Sequence, residues 1–127
     1  MADTVFDSSA VLAALQNESG ADVVERSMDD AVISTANLAE VITKLALGGL
    51  TPEAARRAFD GLGIAVVDFT RDLAEDAGEL VTRTRGFGLS LGDRACLALA
   101  RRDELRVLTA DRAWRDVEVG VRIELIR

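Results

Sequence analysis

Four acidic side chains stand where the sequence changes character. Asp7 follows the apolar run Thr4-Val5-Phe6, and Asp111 closely follows Val107-Leu108. Asp93 opens the Ala- and Leu-rich stretch before that second run, and Glu40 lies beyond the run Ala31-Val32-Ile33-Ser34. If these four meet in space they repel, because two carboxylates ~5 Å apart at an effective dielectric of ~20 cost about 3 kcal/mol. Such a group stays ionised only around a cation, or else takes up protons. An oxygen-only set of ligands selects Mg²⁺ or Mn²⁺ over zinc. A cation held this way lowers the pKa of bound water, polarises a phosphoryl oxygen and stabilises a leaving oxygen, a combination suited to phosphodiester hydrolysis.

The composition removes the main alternatives. The chain has no histidine and no tyrosine, so Ser–His and Cys–His nucleophiles and His-ligated zinc are excluded. No G-x-x-x-x-G-K-[ST] loop occurs, and no G-x-G-x-x-G follows the first strand. The segment Gly86-Phe87-Gly88-Leu89-Ser90-Leu91-Gly92 has the wrong spacing for either phosphate loop and reads as a flexible connection. A single cysteine, Cys96, cannot form an internal disulfide; together with the lack of a basic-then-apolar N-terminus or a membrane-length apolar run, this points to a soluble cytoplasmic protein. The net charge of −7 argues against a nucleic-acid partner. Against that, the basic residues are 14 arginines and Lys44 alone, and arginine is the better bidentate phosphate ligand.

The elements that would position the acids follow from periodicity. Strands are expected at Thr4-Val5-Phe6, Ala31 to Ser34, Ile64 to Val67, Val107-Leu108 and, alternating at a sheet edge, Val121 to Leu125. Helices are expected through Val11, Leu12 and Leu15, near Asp22 to Met28, and along the Leu38/Val41/Ile42/Leu45 stripe ending at Gly48-Gly49. Others start at Thr51-Pro52-Glu53 and run from about Arg71 to Thr84 and from Ser90 to Arg102, with a short one around Trp114. Strands separated by helices imply right-handed crossovers and a mainly parallel sheet covered on both faces, in one α/β domain spanning residues 1–127. Ligands of such sheets bind beyond the carboxyl ends of strands where the strand order reverses; if the first and fourth strands are neighbours, Asp7 and Asp111 share that crevice.

Each acid also has a plainer reading. Asp7 and Asp111 fit as helix N-caps. Ser90-x-x-Asp93 resembles a capping box. Glu40 is four residues before Lys44, the spacing of an exposed ion pair.

The motifs together resemble PIN-domain ribonucleases, specifically the VapC-type toxins of bacterial toxin–antitoxin pairs. The matching segments are Val5-Phe6-Asp7-Ser8-Ser9-Ala10, Asn37-Leu38-Ala39-Glu40-Val41, Leu89 to Ala100 with Gly92-Asp93-Arg94 at its heart, and Leu108-Thr109-Ala110-Asp111-Arg112-Ala113-Trp114. The resemblance implies a PIN-domain α/β/α sandwich in which Asp7, Glu40, Asp93 and Asp111 converge as catalytic ligands of Mg²⁺ or Mn²⁺, with Asp7 and Asp93 the firmest. It also implies that the hydroxyls of Ser9 and Thr109 orient neighbouring carboxylates, though either could be a cap or turn hydroxyl. Asn37 matches the pattern as well, or could cap its helix. The implied activity is an endoribonuclease leaving 5′-phosphate and 3′-hydroxyl ends, neutralised by a VapB-like antitoxin, in a chain that forms homodimers. A DNA-directed nuclease and a non-catalytic interaction module are the competing readings.

Arg94 and Arg112, with Arg83, Arg85 and Arg115, are expected contacts for the RNA backbone, or else a solvated face. Asp116 could support the acids or lie in an exposed turn. Trp114 could stack on a base or sit in the core, and Cys96 reads as a small buried residue.

Overall fold

A computed structural model describes all residues, 1–127. Fourteen segments of regular structure alternate along the chain. Strand β1 is Thr4–Phe6, followed by α1 at Ser8–Leu15 and α2 at Ala21–Ser27; a 3₁₀ turn at Met28–Asp30 then leads into β2 at Ala31–Ser34. Helices α3 (Thr35–Leu47) and α4 (Pro52–Asp60) precede β3 (Ala65–Val67). Helix α5 (Arg71–Glu79), a 3₁₀ turn (Leu80–Thr82) and α6 (Leu91–Asp103) lead to β4 (Arg106–Thr109). A last 3₁₀ turn (Arg112–Trp114) precedes β5 (Ile123–Leu125).

The strands form one sheet in the order β3-β2-β1-β4-β5, every neighbouring pair parallel. The sequence pattern explains how both faces become covered. In β1 the adjacent residues Val5 and Phe6 point into different cores, and so do Val32 and Ile33 in β2 and Val107 and Leu108 in β4. Phe6, Ile33 and Leu108 pack with Val11, Val24, Val41 and Phe59 from α1 to α4. Val5, Val32 and Val107 pack with Leu73, Leu97, Leu99 and Trp114 on the α5–α6 side. The three central strands are therefore continuous apolar runs, as a doubly covered parallel sheet requires. No helix is long and apolar enough to cross a membrane.

One expectation is corrected. The helix expected from Arg71 to Thr84 ends at Glu79 and tightens into a 3₁₀ turn. Thr82 Oγ1 donates to Glu79 O and Thr84 Oγ1 to Leu80 O, so hydroxyls take carbonyls that a continuing helix would have used. Of the two readings of Trp114 the core one holds: it is wholly buried on the α5–α6 side, where it cannot stack on a base.

The start of α2 is tied to the C-terminus by a close approach. Gly20 adopts φ +95°, and a Cβ there would lie 2.7 Å from Ile126 O. Gly20→Ala is expected to destabilise the protein by about 2 kcal/mol or more, since left-handed backbone and overpacking both oppose it. Urea denaturation of the two proteins measures the difference.

Candidate functional site

The strand order reverses between β1 and β4, and that is where Asp7 sits. Phe6 is in register with Leu108, and the Asp7 N–H donates to Leu108 O at 3.0 Å. Asp7 occupies the N-cap position of α1, but its side chain makes no capping bond. The carboxylate turns inward instead, leaving the residue only 3% exposed. Ser9 Oγ donates to Asp7 Oδ2 at 2.6 Å and Thr109 Oγ1 donates to the same oxygen at 2.9 Å. These hydroxyls are themselves held, since Ala110 N–H donates to Ser9 Oγ and Asp111 N–H to Thr109 Oγ1. Asp7 Oδ1 is buried without any partner.

The electrostatics follow from this placement. Burial pushes the Asp7 carboxyl up to about 6; the Ser9 and Thr109 bonds oppose the rise, and the charges of Asp93 and Glu40 add to it. Asp93 is also raised, chiefly by burial, with Ser90 pulling down and Glu40 and Asp111 pushing up. The four acids thus act on one another around one end of the sheet. Beneath them Cys96 is wholly buried, and its thiol is pushed far up by burial and then by Asp7, Asp93 and Glu40, so it stays protonated.

The three acids on the rim are each held by a local donor. Asp93 Oδ2 accepts from Ser90 N–H at 2.9 Å while Ser90 Oγ accepts from Asp93 N–H at 3.1 Å, a complete capping box for α6. Asp111 is exposed and its Oδ1 accepts from Ala113 N–H at 2.9 Å. Glu40 is half-buried; Asn37 Nδ2 donates to its Oε1 at 2.8 Å, and it forms no ion pair with Lys44. No three of these side chains are gathered into a ready-made metal cage.

The residues present still fit a hard divalent cation. All the donors are carboxylate oxygens, and Asp7 Oδ1 is an acceptor-only atom, buried, with no protein hydrogen pointing at it. A buried ionisable oxygen left unpaired is a costly feature unless something else satisfies it.

The arginines divide. Arg94 is not free for phosphate: its Nη1 donates to Ala77 O at 2.8 Å and its Nε is buried. Arg112 is exposed beside Asp111, with a 3.3 Å bond from its Nε to Arg127 O, and Arg83 Nη2 donates to Glu118 O at 3.4 Å. Arg85, Arg115 and Asp116 are exposed. The largest surface cavity, about 630 Å³, lies at the opposite end of the sheet among Asp3, Arg101, Glu104, Arg106 and Arg122. Arg106 there bonds Thr4, Glu124 and Ser27, which makes this cleft a structural junction rather than a centre of chemistry.

For two residues the sequence shows the motif but not the contacts. Asn37 does not cap α3, a role taken by Ser34; it is fully buried and bridges Glu40 to Gly92 O. Gly92 carries the other signal, a glycine inside the first turn of a helix otherwise rich in Ala and Leu.

Comparison with known proteins gives a consistent fold. The family model for the PIN domain matches residues 4–120. A DNA-bound VapBC structure from Salmonella typhimurium superposes with a TM-score of 0.80 at 22% identity, covering 100% of both chains. VapBC2 from Rickettsia felis, bound to a promoter DNA fragment, gives 0.75 at 17% identity over 96% of this chain and 97% of that one. VapC20 from Mycobacterium tuberculosis, described as a Sarcin-Ricin loop cleaving toxin, gives 0.66 at 22% identity over 94% and 98%. Comparison with the curated proteins finds no match.

The raised Asp7 carboxyl has a consequence for stability. Below pH ~4 the group is protonated whether the chain is folded or not; between ~4 and ~6 the folded state holds the extra proton, so stability falls as pH rises, and above ~6 the full penalty applies. A move from 3.8 to about 6 corresponds to about 3 kcal/mol. In chelator, Asp7→Asn is expected to stabilise the protein at pH 7.5 by up to that amount and to flatten the decline between pH 5 and 7.5. Denaturant melts across that range check it, and an unchanged slope in the variant refutes the assignment.

Proposed function

The chain belongs to the PIN-domain family, and from that premise we propose that it is a VapC-type toxin, a Mg²⁺- or Mn²⁺-dependent endoribonuclease neutralised by a VapB-like antitoxin. The observation that carries this reading is Asp7, a buried carboxylate with one oxygen fixed by two hydroxyls and the other bare, set among three further acids at the switch point of a parallel sheet.

Asp7, Asp93, Glu40 and Asp111 are the residues that would hold the cation. When bound, it supplies a water of lowered pKa, polarises the scissile phosphate and offsets charge on the leaving oxygen. The chain's own groups prepare for that chemistry. Ser9 and Thr109 fix Asp7 Oδ2, so the orientation of Oδ1 is set before any ligand arrives. Ser90 fixes Asp93 at the mouth of α6, and Asn37 holds Glu40. Arg112, exposed next to Asp111, is the cation placed to meet the RNA backbone. The antitoxin partner is supported by VapBC assemblies of the same fold, two of them solved on DNA, and RNA as substrate by the toxin of that fold described as cleaving the Sarcin-Ricin loop.

A non-catalytic interaction module is the reading favoured by one observation, the rim acids held apart by their own donors. Calorimetric titration with Mn²⁺ separates the two, since a module that only binds protein takes up no cation at this site.

RNA cleavage is expected in Mg²⁺ or Mn²⁺, none in chelator, and a greater loss of rate for a ligand than the 10–100-fold typical of supporting residues, so more than about 100-fold for Asp93→Asn. Gel assays on matched RNA and DNA strands test this and the choice of nucleic acid together. Cleavage that survives chelator, or Asp93→Asn at full rate, counts decisively against the proposal.

A further inference from the structure

Asn37 is wholly buried between α3 and the first turn of α6, yet it is polar and does no capping. Both hydrogens of its amide are engaged, one with Glu40 Oε1 at 2.8 Å and the other with Gly92 O at 2.9 Å. Because both partners are acceptors, the amide has a single workable orientation, and flipping it would set oxygen against oxygen. That orientation leaves Asn37 Oδ1 buried with no partner. An apolar side chain at this position would carry no such penalty, so packing alone does not explain the choice of residue.

Gly92 supplies an independent observation at the same place. Its backbone needs no left-handed conformation, and glycine in a helix lowers stability relative to alanine. A Cβ at Gly92 would stand about 2.5 Å from the carboxylate of Glu40, so the end of that flexible side chain would have to move off its present place. The absence of a side chain at Gly92 therefore makes room for the Glu40 carboxylate against the turn that carries Asp93. Glu40 has been brought next to α6, toward a charge that repels it, and something must hold it there.

We infer that Asn37 is the positioning residue that holds the Glu40 carboxylate on the Gly92 seat, setting its place relative to Asp93 for the cation. The inference rests on the reading of these acids as a cation site and assigns to that site a neutral clamp outside the four acids. Without the clamp, Glu40 is a half-buried side chain with several rotatable bonds and two nearby negative charges, free to swing toward water. Its contribution as a ligand is then lost although the residue remains.

The test uses the full chain and Mn²⁺ itself as the titrant. Asn37→Leu keeps a side chain of similar size, and its metal-free melting temperature is expected within a few degrees of wild type. Its Mn²⁺ affinity by calorimetry is expected to fall tenfold or more, in line with the loss of a residue supporting a ligand. In a Glu40→Gln background the same substitution is expected to change Mn²⁺ affinity less than about twofold, because the group it positions has already lost its charge. Gly92→Ala, which removes the seat from the other side, should weaken Mn²⁺ binding as Asn37→Leu does. If wild type binds Mn²⁺ and Asn37→Leu binds it equally well, the clamp is overturned and the cation site stands. A loss that persists undiminished in the Glu40→Gln background, or a melting temperature that collapses along with affinity, makes Asn37 a structural residue and also overturns the role. Wild type that takes up no Mn²⁺ overturns the cation site itself, and the clamp falls with it.

Discussion

A carboxylate immediately after the central strand of a fully covered parallel sheet has almost no water available to it. Asp7 is in that position: β2 and β4 flank β1, α1 begins at the next residue, and 3% of Asp7 remains exposed. An unhydrated charge is tolerated only where hydrogen bonds replace the lost water. Ser9 and Thr109 provide two, both to the same oxygen. Their own oxygens accept from the backbone of Ala110 and Asp111, so the first turn of α1 and the loop after β4 are ordered around one carboxylate. The arrangement satisfies half of the group. Burial holds the carboxyl up to about 6 despite those two bonds, with the charges of Asp93 and Glu40 adding to it, and Oδ1 stays bare.

Helix termini give the rim its form. Asp93 is a complete capping-box residue and also lies in the field of Glu40 and Asp111. Asp111 caps a 3₁₀ turn and is exposed at the mouth of the same crevice. These structural roles and a role toward a cation do not exclude each other, because an ionised carboxylate has two oxygens and about four lone-pair directions. The Asp93 oxygen that accepts from Ser90 N–H is Oδ2, and the Asp111 oxygen that accepts from Ala113 N–H is Oδ1; in each case a second oxygen remains. Capping therefore fixes these side chains in direction without exhausting them.

The same distinction explains what the sequence could show. Strand and helix order was legible because Val5/Phe6, Val32/Ile33 and Val107/Leu108 are unbroken apolar pairs that need cover on both faces, and because Ser90, Thr51-Pro52 and Gly48 punctuate the helices. The capping box was legible because it depends on residues three apart. Glu40 and Asn37 were legible as members of a motif but their partners were not, since what decides their contacts is Gly92, far along the chain and brought near only by the packing of α3 on α6. Spacing along α3 offered Lys44 as the partner of Glu40 and a helix end as the place for Asn37; the tertiary contact overrides both. Arg94 failed as a phosphate contact for a similar reason, since Ala77 O lies on α5, an element whose packing against α6 no local pattern discloses.

Charge ties these features to the proposed chemistry. The net charge is −7, and the exposed cation beside the acids is Arg112, next to Asp111. A phosphodiester approaching four carboxylates meets like charge on both sides, and an exposed guanidinium in water offsets only a little of it. Under the nuclease reading, a cation held by these carboxylates would offset the charge that a phosphodiester meets there. The donors at Asn37, Ser90 and Ala113 each take one oxygen of a rim acid and leave the other open, so the side chains are directed without being used up.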